Sequence, residues 1–245
     1  DEFDHDSTSE PMIIEEMWEG EMRKMVVQVS RNGHVYGLDR FSGEFLYAGE
    51  YTRVNWADRD ESGKPVLKEA FKEPKNEMVF PGLYGGKNWP PASYSPDTHM
   101  LYIPTTEWGA RFIRREGEGR AGTMDLGGMV QFDKTGTGWV VAFNMLTGKV
   151  DWQKEMPGNF AWAGTLATGG GLVFSGAPDG YLYALNDETG EVLWKFQTGS
   201  GLYAPPTSFT IDGKQYIGIA SGTRDPVSRA GVASGISPGN YILFS

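Results

Sequence analysis

Groups able to do covalent chemistry are sparse in this sequence, and their spacing narrows the options further. There is no cysteine, which removes a thiolate nucleophile, a disulfide and any zinc site built on sulfur. His5, His34 and His99 lie far apart and form no i, i+4 ligand pair on a helix face. The opening acids Asp1, Glu2, Asp4 and Asp6 have the density of a calcium loop. They lack its glycine and distal glutamate, however, and read as a solvated charged segment. GEGRAG over residues 117–122 satisfies GxGxxG, but it sits in a polar stretch without the preceding strand and following helix of a nucleotide loop. Among the many polar and aromatic side chains, local sequence gives Arg31, Asn88, Trp89 and Trp162 no special standing. Local sequence alone reads Arg31 as a solvent-facing turn residue and both tryptophans as core aromatics. Asn88, ahead of Trp89-Pro90-Pro91, reads equally as an Asx turn or a ligand.

The composition sets the frame for these residues. A hydrophobic fraction of 39% with 13% aromatics is enough to build a packed core, so the chain is not globally disordered. A formal charge of -10 repels a phosphate backbone, which argues against nucleic acid as a partner. No apolar run approaches the roughly 20 residues of a membrane span. The opening DEFDHDSTSEP also lacks the basic start and apolar middle of a signal peptide.

An internal repeat identifies the elements that must position any site. GWVVAFNMLTGKVDW (138–152) matches GYLYALNDETGEVLW (180–194) almost residue for residue. Gly148 and Gly190 stand 42 positions apart (190 − 148), within the roughly 40 to 45 residue period of a four-stranded propeller blade. In each copy an apolar run meets an Asn-X-X-Thr-Gly turn and then a second run ending in tryptophan, which predicts a β-hairpin. Glycine supplies the positive φ of such a turn, and the asparagine can bond back to its backbone. A degenerate third copy, GHVYGLDRFSGEFLYA (33–48), has Tyr47 in place of the tryptophan. Gly43 to Gly148 is too long for one blade, but the interval holds a further strand pair in ASYSPDTHMLYIPTTEW. A blade with polar insertions near 58–76 and 111–133 fits that gap. A last hairpin turns at Asp212-Gly213, and a weak helical signal covers Lys68 to Phe71.

These repeats resemble the tryptophan-docking motif of the pyrroloquinoline quinone (PQQ) dependent alcohol dehydrogenases, with Trp152 and Trp194 at the docking position. SRNGHVYGLDR, VNWA, GGKNWPPASYSPDTHMLYIP and FAWAGTLATGGGLVFSGAPDGYLYALN look like successive landmarks of that family in the right order. The resemblance implies an all-β chain over residues 1–245, the C-terminal portion of an eight-bladed β-propeller of antiparallel four-stranded blades. It places Arg31, Asn88, Trp89, Trp162 and Ala163 at the cofactor. A planar tricarboxylate quinone requires cationic and amide donors at its oxygens and flat apolar surfaces against its rings.

The implied parent activity is oxidation of an alcohol to an aldehyde by hydride transfer to PQQ, assisted by a calcium or lanthanide ion, in the bacterial periplasm. A cytochrome-type acceptor would take the electrons. DEFDHDSTSEP resembles the stretch just after the family's catalytic aspartate. On that alignment the aspartate, the metal ligands and the N-terminal propeller portion lie upstream of Asp1, leaving this chain with no catalytic residue and no metal ligand of its own. ASGTRDPVSRAGV (220–232) departs from the family by lacking a tryptophan after the penultimate strand, which affects a cofactor contact there. The competing reading is a non-catalytic propeller that serves as a scaffold for protein contacts. A scaffold has no evident need of Asn88-Trp89 or Trp162.

Overall fold

The computed structural model describes residues 3–72, 77–114, 128–222 and 239–245. The chain runs first through an antiparallel meander of β1 (Met12–Trp18), β2 (Glu21–Val29), β3 (His34–Asp39) and β4 (Phe45–Glu50). A small ribbon follows, β5 (Ala57–Arg59) with β6 (Pro65–Leu67). The second sheet contains β7 (Ser93–Ser95) and β8 (Met100–Glu107), then β11 (Thr137–Asn144) and β12 (Lys149–Met156). Between its second and third strands is inserted a separate ribbon of β9 (Ala110–Arg114) and β10 (Gly128–Phe132). The third sheet is β13 (Thr165–Thr168), β14 (Leu172–Gly176), β15 (Tyr181–Asn186) and β16 (Val192–Gln197). A fourth has three strands among the described residues, β17 (Thr207–Ile211), β18 (Lys214–Ser221) and β19 (Asn240–Phe244).

The repeat turns form as their chemistry requires. Asn144 Oδ1 accepts from the amides of Leu146 and Thr147 at 2.9 and 3.1 Å. Asn186 Oδ1 accepts from Glu188 and Thr189 at 3.0 and 2.9 Å. Asp39 does the same for Phe41 and Ser42 in the degenerate copy, at 3.0 and 2.8 Å. Just inside each turn the strand register shifts, at Gly37/Leu38, Ala142/Phe143 and Ala184/Leu185. The repeated sequence is therefore a repeated backbone path, bulge included. The Asp212-Gly213 hairpin also forms, with both residues at positive φ, as a two-residue primed turn demands.

Successive sheets pack face to face, and the core is divided among the gaps between them. Met25, Val27 and Val35 of the first sheet meet Leu101, Ile103, Val141 and Phe143 of the second. The other face of the second sheet, with Tyr102, Val140 and Ala142, meets Val173, Tyr183 and Leu185 of the third. Phe174, Leu182 and Ala184 in turn meet Ile217 and Ile219 of the fourth. A sheet that is apolar on both faces and covered on both is a propeller blade.

The docking tryptophans differ from one another. Trp152 lies half-buried across the next sheet, donating from Nε1 to Asp187 O at 3.0 Å, with its ring flat on Gly190. Trp194, expected to be buried between sheets, is 41% exposed instead. Its ring meets Phe244 of the fourth sheet edge-on at 5.3 Å and stacks with Phe196 of its own strand. Tyr47, in the degenerate copy, is buried and stacks on Trp18 at 4.5 Å. The first polar insertion is partly ordered as the β5–β6 ribbon, and the weak helical signal near Lys68 becomes one 3-10 turn, Glu69–Phe71. The second insertion forms the β9–β10 ribbon at its ends, and its GEGRAG stretch lies outside the described residues.

Gly148 and Gly190 take nearly the same positive φ, 67° and 71°. A Cβ at Gly148 would meet nothing within 4 Å, whereas at Gly190 it would lie 2.6 Å from the Trp152 ring. Gly148→Ala should therefore cost only the left-handed strain, about 1–2 kcal/mol. Gly190→Ala should cost about 1–3 kcal/mol more through overpacking of the inter-sheet contact. Urea unfolding of the two variants measures the difference, and equal losses would show that Trp152 does not dock there.

Candidate cofactor-binding site

The loop over residues 82–91, which leads into β7, is the hub on which the sequence-predicted site residues meet. Arg31, in the turn between β2 and β3, is 7% exposed. Its carbonyl accepts from the Gly86 amide at 2.8 Å, and its Nη2 donates to the Leu83 carbonyl. Gly85, at φ +71°, lets the loop pass this close, since a Cβ there would stand 2.8 Å from Arg31 Cβ. Asn88 Nδ2 donates to Tyr84 O at 3.1 Å while its Oδ1 accepts from the Trp89 amide at 2.9 Å. That bond reaches only the next residue, and Pro90 has no N–H to offer, so the expected Asx turn does not form; the side chain of Trp89 projects outward, 44% exposed.

Trp162 arrives from the approach to β13 and closes the group. Its ring meets Trp89 edge-on at 5.9 Å and Tyr84 edge-on at 6.0 Å. Thr165 N donates to Pro91 O at 3.0 Å, which ties the two segments together. Ala163 is buried and packs towards Gly176 rather than into the aromatic group. Arg31, Asn88, Trp89 and Trp162 thus converge on one loop although up to 131 positions (162 − 31) separate them in the chain. Beyond Tyr84 the aromatic surface continues through Phe132, stacked at 5.0 Å, and Trp108.

Sequence reasoning missed three residues here. Tyr84 joins Asn88, which bonds its carbonyl, to Trp162, which meets its ring. Lys87 is only 1% exposed, with Nζ donating to Asn88 O at 3.3 Å. Burial pulls its pKa down to about 8, against an opposing pull from Glu10. The third is Asp4. Read as part of a solvated run, it is indeed exposed, but its Oδ2 accepts from Arg31 Nη2 at 3.0 Å and its backbone holds φ +59°. A non-glycine residue in that region is uncommon and marks a position fixed by its surroundings.

Asp4 belongs to an extended strap over residues 3–10. His5 Nε2 donates to Pro81 O at 3.0 Å, Ser7 bonds Ser30 at 2.9 Å, and Ser9 bonds Val29 O at 2.8 Å. Phe3 packs on Trp56 and Phe112. The only signal for this in the sequence is the alternation Phe3, His5 against Asp4, Asp6, which the burial follows.

These groups fit a planar polyanionic quinone. Arg31 Nε is buried with no hydrogen-bond partner, an open donor in a protein of net charge -10. Asn88 supplies an amide beside it, and Trp89 an exposed indole. No cluster of three potential metal ligands occurs among the described residues. The divergent stretch 220–232 falls outside the described residues from 223 onward.

Fold and side chains together define a segment of a β-propeller in which charged, amide and aromatic groups from the loops of neighbouring blades cluster. The comparisons with known proteins agree. Residues 156–217 match the family described as PQQ, glucose/ethanol/alcohol dehydrogenase, beta-propeller domain. The quinoprotein alcohol dehydrogenase PedH of Pseudomonas putida is 33% identical over 91% of this chain and 39% of its own length. A quinoprotein ethanol dehydrogenase of the same species is 35% identical over 83% of this chain and 35% of its own length. Two solved structures share the fold. Quinohemoprotein alcohol dehydrogenase ADHIIG from Pseudomonas putida has a TM-score of 0.82 at 28% identity, over 89% of this chain and 35% of that one. A europium-containing methanol dehydrogenase has a TM-score of 0.78 at 30% identity, over 91% and 40%. The chain is homologous to part of the PQQ-dependent quinoprotein alcohol dehydrogenases, and it spans little more than a third of the length of these relatives.

Burial lowers the pKa of both His5 and His34 from 6.5 to about 4. Because the folded value lies below the unfolded one, the stability that each contributes is complete above pH 6.5 and is lost as pH falls towards 4. For His5 the loss amounts to about 3 kcal/mol across that window. Unfolding midpoints measured from pH 7 to pH 4 should fall less steeply for His5→Gln than for the unsubstituted chain. Parallel curves would show that His5 is solvated and the strap lifted.

Proposed function

We propose that this chain forms one side of the cofactor and substrate site of a PQQ-dependent alcohol dehydrogenase, oxidising an alcohol to an aldehyde. The observation that carries this reading is the convergence of Arg31, Asn88, Trp89 and Trp162 on the 82–91 loop, with a carboxylate at the guanidinium. A scaffold propeller would gain nothing from a buried guanidinium with an open Nε donor in its inner loops. PQQ, when bound, accepts the hydride from the alcohol carbon. Arg31 would hold its anionic oxygens and stabilise negative charge that develops there, Asn88 would donate from its amide, and Trp89 and Trp162 would flank the ring plane.

Asp4 is the group on this chain best placed to take the hydroxyl proton. It is held at Arg31, its side chain is 54% exposed, and it faces the same loop as the cofactor groups. The Asp4–Arg31 pair supports this reading over the expectation that the base lies before Asp1, and the variant below separates the two. We further propose that the ligands of a calcium or lanthanide ion and the remaining blades of an eight-bladed ring come from segments outside this chain. The periplasm and a cytochrome-type acceptor complete the assignment, on the strength of the relatives, some of which are quinohemoproteins.

In the full-length protein, loaded with PQQ and calcium or a lanthanide, Asp4→Asn should lower kcat about 10²–10⁴-fold in a dye-linked alcohol assay. Cofactor loading should be retained. Full turnover by this variant would remove the base assignment. The isolated 245-residue chain should show no turnover under the same conditions, and robust activity would show that the site needs nothing further.

A further inference from the structure

Lys87 is not accounted for by the proposed chemistry, and its burial is unusual. Lysine is almost never fully buried unless paired, yet this one is 1% exposed. Its Nζ reaches one carbonyl, Asn88 O at 3.3 Å, and one carboxylate, Glu10 Oε1 at 4.0 Å. The pKa of about 8 reflects how poorly this environment replaces water. A residue required only to fill this space would be better as methionine, which has similar length and no charge to desolvate.

The two partners indicate what the ammonium does. Asn88 belongs to the hub loop, and Glu10 ends the strap that carries Asp4. Thr8, two residues before Glu10, also reaches Asn88, from Oγ1 to Oδ1 at 3.5 Å. At its other end the strap is fixed by the Asp4–Arg31 pair and by His5 on Pro81. Its anchors therefore alternate between the Val29–Arg31 segment and the loop after Pro81. Lys87 supplies the only positive charge near its C-terminal end among the described residues.

We propose that Lys87 is a positioning residue, a buried cation that clamps the 3–10 strap to the Asn88 loop through Glu10 and so fixes Asp4 relative to Arg31. Its effect on turnover rests on the reading of Asp4 as proton acceptor. The clamp itself does not.

The test uses the full-length holoprotein with Lys87→Met, Lys87→Arg and Glu10→Gln. Hydrogen–deuterium exchange of peptides covering residues 3–10 should rise about tenfold in Lys87→Met, while peptides from β8, β11 and β15 stay unchanged. Lys87→Arg should restore the protection. The same Lys87→Met protein should lose kcat about tenfold with KM for the alcohol nearly constant, because the base is misplaced and the binding groups are not. Strap exchange unchanged in Lys87→Met overturns the clamp. A strap that loosens while kcat holds supports the clamp and removes Asp4 from the reaction. If Lys87→Met fails to fold, Glu10→Gln breaks the same contact from its exposed side. Strap protection that survives that change overturns the proposal equally.

Discussion

An antiparallel meander of four short strands has two faces, and the second and third sheets bury apolar residues on both, so each of them needs a neighbour on either side. That constraint organises everything else. It explains why the main body of buried residues forms one cluster in each of the three gaps between consecutive sheets, with a smaller fourth beside the β5–β6 ribbon, instead of a single central core. It also explains the recurrence of large flat side chains within the fourth strand. Trp152 spans the gap to the third sheet and needs Gly190 beneath it to do so. Trp194 meets Phe244 edge-on and remains 41% exposed, although its local sequence is equivalent. The motif specifies the side chain, but its burial depends on the neighbouring sheet.

The same stacking constructs the site. The first strands of adjacent sheets meet at their inner ends, where Ser93 Oγ bonds Thr165 Oγ1 at 2.9 Å and Thr165 Oγ1 in turn bonds Tyr102 O at 2.7 Å. The segments that lead into these strands are therefore forced together. One carries Asn88 and Trp89, the other Trp162. The β2–β3 turn of the first sheet brings Arg31 to the same place, through Leu83, Gly85 and Gly86. No local rule links Arg31 to Trp162, but the angular succession of the sheets does.

This division accounts for what the sequence could reveal. The hairpins at Asn144-Gly148 and Asn186-Gly190 were legible because the turn bonds are made within five residues, and the copies repeat them. The blade interrupted by the β9–β10 ribbon was legible from the spacing of its two halves. Arg31, Asn88, Trp89 and Trp162 could be singled out only through family resemblance, since each has an ordinary local reading. Asp4 and Lys87 were not legible at all. Their character comes from partners 27 and 77 positions away, and a run of acids looks the same whether or not a guanidinium waits across the fold. The β1–β2 hairpin was missed for a different reason. Its strands are rich in charge, with Glu15, Glu16, Arg23 and Lys24 facing one another, so that cross-strand pairing replaces hydrophobic alternation.

Both buried cations of the site, Arg31 and Lys87, stand in a protein of net charge -10 and take their carboxylate partners from one exposed strap. Burying a cation costs several kcal/mol unless partners replace its water, so the site is a place where stability is given up. The strap supplies the compensation, yet it contributes no residue to the three inter-sheet clusters; only Phe3 joins a core, the small one beneath the β5–β6 ribbon. The strap is thus held by its hydrogen bonds and two ion pairs rather than by the packing between sheets.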